Sequence, residues 1–133
     1  MKGLDPALLI IRIGIGAIFI GHGSQKLFGV FGGNGIDAFA EALKNMGIAN
    51  PRLMAPVAAV SEALGGVFVL LGIFPRIGAF LIAFTMVVAI VKVHGPNGFF
   101  AANGGFEYPF LILMACISLM IAGGGKLSLY NNF

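Results

Sequence analysis

His22 and Lys26 stand one helical turn apart in the stretch His22-Gly23-Ser24-Gln25-Lys26-Leu27-Phe28-Gly29, so in a helix they share a face. An imidazole can take up or release a proton and an ammonium can donate hydrogen bonds, with the amide of Gln25 beside them. Further along come Lys92, His94, Asn97, Glu107 and Tyr108, within sixteen or so residues rich in glycine and phenylalanine. Such a set suits a polar, protonatable pocket for a small ligand. His22, His94 and Glu107 also make a formal two-histidine, one-carboxylate set, but the flanking lysines oppose a bound cation and no metal is expected. Two more charges, Arg12 and Glu62, lie inside apolar runs. A central acidic residue in a membrane helix costs on the order of 3 kcal/mol on insertion scales, so Glu62 should face protein and have a partner.

The elements that must position these groups are set by composition. In 133 residues, 59% of side chains are apolar and only 10% charged, with a mean hydropathy of +1.01. Those values place the chain among membrane proteins, with room for one compact domain, residues 1–133, of about four spans at roughly 20 residues each. The net charge of +3 is dispersed, which argues against a nucleic-acid partner. One cysteine, Cys116, excludes an intramolecular disulfide, a dithiol relay or a cysteine metal cluster. The run from Leu4 continues unbroken towards Lys26 and reads as a first membrane helix, not a cleavable signal peptide.

The expected fold is all-α: an antiparallel four-helix transmembrane bundle spanning residues 4–27, 53–74, 77–93 and 109–122. Asp5-Pro6 suits an N-cap and first helical residue. In the first span Gly14, Ala17, Gly21 and Ser24 make a small-residue stripe on which a neighbouring helix could pack. Arg12, Gly16, Phe19, His22, Gly23 and Lys26 share an adjacent sector. Between the first two spans, Ile36, Phe39, Ala40, Leu43 and Met46 recur at helical spacing opposite Asp37, Glu41, Lys44 and Asn45, the pattern of a short amphipathic helix at the membrane surface. Ala55, Ala58, Ala59, Glu62, Gly65 and Gly66 line one face of the second span. Gly78, Thr85 and Lys92 mark the inner stripe of the third.

Four antiparallel spans bring His22, Gln25, Lys26, Lys92, His94, Asn97, Glu107 and Tyr108 to one end. At about 1.5 Å per residue, Arg12 lies about 12 Å and Glu62 about 16 Å above the opposite edge, so the two are expected to pair. The result would be two polar layers, an outer ligand rim and an inner ion pair.

In order along the chain, His22-Gly23-x-x-Lys26-Leu27-Phe28-Gly29, Phe31-Gly32-Gly33, Glu62 with Gly65-Gly66, Arg76, His94 with Asn97-Gly98-Phe99-Phe100, Gly104-x-x-Glu107-Tyr108 and Gly123-x-Gly125-x-x-Ser128 resemble the DoxX family. The likeness covers nearly the whole chain, and departs where members often carry an aspartate after the serine and Leu129-Tyr130 stand here. It implies a multi-pass bacterial inner-membrane protein with both termini in the cytoplasm, associated with quinone-linked redox systems and with a redox-enzyme subunit as partner. Charge alone does not orient it: Lys2, Arg12, Arg76 and Lys126 fall towards one side, Lys26, Lys44, Arg52 and Lys92 towards the other.

Three functions are compatible with these residues. The first is a quinone-interacting subunit of an oxidoreductase complex, in which His22 and Lys26 donate to the head group and Glu107 or His94 exchanges protons. With no haem, flavin or cysteine-cluster motif, such a chain is not expected to be catalytic alone and has no intrinsic cofactor. The second is a non-enzymatic adaptor or assembly partner, docking through residues 36–46 and 98–108. The third is a small-solute or proton pathway from the rim to Glu62 and Arg12.

Overall fold

The computed structural model describes residues 2–130, which fold as helices with no strand beyond a lone bridge between Ile73 and Tyr130. The helices are α1 (Leu4–Phe28), α2 (Gly35–Asn45), α3 (Pro51–Leu71), α4 (Pro75–Ala89) and α5 (Glu107–Ala122). Beyond α4 the helix continues as a wide π turn, Ile90–His94, and a tight 3₁₀ turn, Gly95–Asn97. Three helical stretches are long and apolar enough to cross a membrane: Leu4–Phe28, Pro51–Leu71 and Pro75–Asn97, of 25, 21 and 23 residues. α5 is equally apolar but has 16 residues, a length of about 24 Å.

Close backbone approach sets how the long helices meet. A β-carbon on Gly16 would lie 2.9 Å from the Gly66 carbonyl oxygen, and one on Gly23 would lie 2.6 Å from the Ala63 nitrogen. Thus α1 and α3 run in opposite directions with their backbones almost touching. On the other side of α3, Gly65 meets the Gly78 carbonyl oxygen of α4 at 2.9 Å by the same measure. Phe19, Val69, Ile82, Ile112, Cys116 and Leu119 pack into one buried core shared by α1, α3, α4 and α5. The expected face of α3 holds, since Ala55, Ala59, Glu62, Gly65 and Gly66 are buried.

The stripe Gly14, Ala17, Gly21 and Ser24 does not serve the contact expected of it. Gly14 and Ala17 are exposed, and Gly14 and Gly21 have open space where a side chain would go. The adjacent sector, with Gly16 and Gly23, makes the close contact instead.

Arg12 also departs from expectation. It is 1% exposed and does not pair with Glu62. Its Nε donates to the Val69 carbonyl at 2.8 Å and Nη2 to Leu70 at 3.1 Å, while Nη1 reaches the carbonyls of Gly124 and Leu127 and the Ser128 hydroxyl. The reason is register. With Gly16 against Gly66, Arg12 faces the last turn of α3, and Val69 is seven residues, or about 10 Å, beyond Glu62. Equal depths would require the start of α1 to lie level with the end of α3, whereas the first turns of α1 extend past the end of α3 and are covered by the tail after α5. Helix C-termini leave carbonyls without intrahelical donors and carry partial negative charge, so the guanidinium has both hydrogen bonds and a favourable field there. Arg76 does the same for α5, its Nε donating to Met120 at 3.0 Å. Asp5, in the first turn of α1 and not at its cap, accepts from the backbone N–H of Lys126 at 2.9 Å.

Two sets of stability measurements test this packing. Gly23→Ala should cost about 1–3 kcal/mol, because backbone and not a flexible tip blocks the methyl, whereas Gly21→Ala should leave thermal unfolding in detergent unchanged. Arg12→Lys should destabilise by about 2–3 kcal/mol or more, since an ammonium cannot reproduce a five-donor fork; an unfolding midpoint equal to wild type would refute the capping role.

Candidate functional site

At the end of the bundle away from Arg12, a cavity of about 610 Å³ lies between α1, α3, α4 and the start of α5. α2 closes its side: Phe39, Leu43 and Met46, from the apolar face anticipated for a surface helix, turn towards α3 and line the wall. The rest of the wall is mainly apolar, including Phe19, Met54, Val57, Phe84, Met86 and Val88. Val57 and Phe84 are 50% and 62% exposed on the outer surfaces of α3 and α4, so the cavity opens on the flank of the bundle as well.

Polar groups are few and placed. Lys26 Nζ donates to Glu62 Oε1 at 2.6 Å and lies 4.7 Å from the centre of the Phe39 ring. Glu62 is 4% exposed, and its other oxygen, Oε2, is buried with no hydrogen-bond partner among the described residues. The pairing arises from the same register that took Arg12 away: Gly23 against Ala63 brings the end of α1 alongside the middle of α3. The inner ion pair expected between Arg12 and Glu62 is therefore replaced by Lys26 with Glu62, and the acidic residue joins the outer layer. A pathway descending from the rim to a joined Glu62 and Arg12 loses its inner station, because the two are held on different turns of α3.

His22 lines the cavity from an exposed position one turn before Lys26, its ring 6.0 Å from that of Phe19. His94 lines it from the end of the π turn, where Nδ1 is 2.9 Å from the Gly104 carbonyl oxygen. A π turn holds more residues than an α turn and so rotates the residues beyond it about the helix axis. Val93 and His94 consequently take the inner place expected of Lys92, which is exposed. Tyr108 completes the polar set at the start of α5.

Three expected site residues lie elsewhere. The Gln25 side chain donates to the Phe31 carbonyl at 2.9 Å and holds the glycine turn before α2, beside a second, smaller cavity. Asn97 donates to the Gly104 carbonyl at 3.2 Å, bracing the same loop as His94. Glu107 is half-buried at the first turn of α5, its backbone N–H bonded to the Phe99 carbonyl, and is not part of the cavity wall. The loop they flank closes on itself through Phe106 N–H to Gly98 and Gly105 N–H to Phe100, with the Phe99 ring edge-on to Phe100 and Phe106. Ser61 and Thr85, not singled out in the sequence as ligand contacts, contribute hydroxyls to the wall. Among the described residues no cluster of histidine, cysteine and carboxylate side chains could hold a metal ion.

An apolar helical bundle with one cavity carrying paired charges and two imidazoles defines a class of small multi-helix membrane protein. The DoxX family model matches residues 7–95, and the chain belongs to that family. A relative from Bacillus subtilis (strain 168), named "Putative oxidoreductase CatD", is 31% identical over 128 residues, covering 96% of this chain and 87% of the relative. A second, an "Uncharacterized protein" of Haemophilus influenzae, is 29% identical over 133 residues, covering 95% and 90%. No solved structure matches the chain significantly.

The Lys26–Glu62 pair should show coupling in a double-mutant cycle. Lys26→Met alone leaves a buried carboxylate unpaired and should cost about 2–4 kcal/mol, moderated by the partial exposure of Lys26. Adding Glu62→Gln should recover part of that loss in detergent melting, and strictly additive effects would show that the contact contributes nothing.

Proposed function

We propose that this chain is a four-helix antiparallel transmembrane bundle of the bacterial inner membrane whose cavity holds a quinone-type head group, as the small membrane subunit of an oxidoreductase. What carries the reading is the cavity: about 610 Å³, apolar over most of its wall, with polar groups confined to Lys26, Glu62, His22, His94, Tyr108 and two hydroxyls. A flat aromatic ring with two oxygen substituents and a lipid tail needs that combination of greasy wall and sparse polar contacts. The flank opening at Val57 and Phe84 gives the tail a route from lipid. The relative named as an oxidoreductase supports the same class of chemistry.

The fit of such a group rests on Glu62 Oε2, a buried acceptor without a donor, and on two imidazoles lining one cavity. When bound, a quinone supplies two-electron redox chemistry. The chain's own groups contribute placement and protons: His22 Nε2 or Nδ1 and Tyr108 Oη hydrogen-bond the ring oxygens, His94 exchanges a proton at Nε2, and the phenylalanines exclude water. Electrons come from a partner subunit.

Protein purified in mild detergent and extracted into organic solvent should yield quinone close to one per chain by mass spectrometry. His22→Ala and Tyr108→Phe together should lower that yield by about tenfold while leaving the unfolding temperature unchanged. Absence of quinone from wild type, with none bound on titration, would overturn the reading.

A further inference from the structure

Resting on the quinone-type reading, we infer that the cavity selects the reduced, hydroxyl-bearing form of its ligand over the oxidised form, through Glu62 and the Nε2 atom of His94. The two forms differ in their hydrogen-bond roles. A quinone head group has only acceptors, whereas its hydroquinone has two O–H donors.

Most uncommitted polar atoms on the wall are acceptors. Glu62, ion-paired with Lys26 through Oε1, has Oε2 buried and unpartnered. His94 Nδ1 faces the Gly104 carbonyl at 2.9 Å, and a carbonyl can only accept. The ring proton is thereby assigned to Nδ1, so Nε2 of the neutral imidazole carries a lone pair. Ser61 Oγ donates its proton to the Val57 carbonyl at 2.7 Å and Thr85 Oγ1 to the Ile82 carbonyl at 2.7 Å. Both residues line the cavity, and with their protons given to the backbone their hydroxyls have only lone pairs to offer.

Donors on the same wall are fewer. Lys26 has its charge matched by Glu62 and its ammonium over Phe39. Tyr108 and one nitrogen of His22 supply the rest. A carbonyl oxygen brought beside Glu62 or His94 Nε2 would set acceptor against acceptor, which disfavours the oxidised ligand, while an O–H there satisfies an oxygen that is otherwise an orphan. An uncompensated buried carboxylate oxygen is costly, and a hydroxyl donor relieves that cost only in the reduced complex.

Titrating wild-type protein in detergent under argon with decylubiquinol and with decylubiquinone tests this by calorimetry. The dissociation constant of the quinol should be at least about tenfold lower, the usual worth of a hydrogen bond to a charged acceptor. In Glu62→Gln, whose amide can also donate, and in His94→Phe, which lacks the acceptor, the ratio should fall towards one. Equal affinities in wild type, or tighter binding of the quinone, would overturn the selectivity while leaving a quinone site in place. Binding of neither form would overturn the site itself. A wild-type preference that persists unchanged in both variants would remove Glu62 and His94 as its cause.

Discussion

The adjacent glycines of α3 hold the architecture together. Gly66 faces α1 and Gly65 faces α4, and on each side the partner presents another glycine, Gly16 and Gly78. Association of apolar helices in lipid gains little from hydrophobic burial, because lipid is as apolar as leucine, and relies on close van der Waals contact and hydrogen bonds. Two glycine contacts back to back therefore make α3 the centre of the bundle and leave only one register for each neighbour. Arg12 and Lys26, the two long cationic side chains of α1, are then each committed to a level on α3.

Arg12 is the first consequence. It carries a charge with no carboxylate paired to it among the described residues, yet it is among their most buried side chains. What compensates it is backbone: two carbonyls at the C-terminal end of α3, two from the tail and one hydroxyl. Further carbonyls of that end are met by the tail itself, where the N–H of Leu129 and Tyr130 donate to Leu71 and Gly72. Non-helical backbone near membrane depth is tolerated where it is buried in protein, and here the arginine and the returning tail satisfy each other. This end of the bundle is consequently occupied by backbone and the arginine, and the cavity lies at the other.

Much of this is legible in the residues and some is not. Long apolar runs mark α1, α3, α4 and α5, helical periodicity marks α2, and glutamate among alanines and glycines marks the buried face of α3. The grouping of His22, Lys26, His94 and Tyr108 at one end comes from alternating spans. What the residues hide is relative axial position. Two glycine patterns on α1 are visible, and composition does not say which one touches α3; choosing Gly16 and Gly23 over Gly14 and Gly21 sends Arg12 to the helix end and Lys26 to Glu62. The π turn before His94 leaves no plain mark in Val91-Lys92-Val93, so an unbroken α-helical count puts Lys92 on the inner stripe. Gln25 and Asn97 have the right chemistry for a ligand, but their nearest acceptors are local carbonyls of glycine-rich turns, and short-range bonds win over a distant pocket.

Position 62 shows how the two ends differ in kind. The neighbouring buried residues of α3 are alanine and glycine, and an apolar side chain there would remove the desolvation cost of a buried ion pair with no loss of packing. Nothing in the helix register requires Lys26 and Glu62, since the glycine contacts already set it. At the arginine end, by contrast, the charge answers a need that any α3 terminus would have. Arg12 completes hydrogen bonds that the backbone must make, whereas Glu62 brings an acceptor that the fold does not use. A polar group that is costly to bury, superfluous to packing and set in the wall of a cavity is the kind of group by which a functional site differs from a packed core.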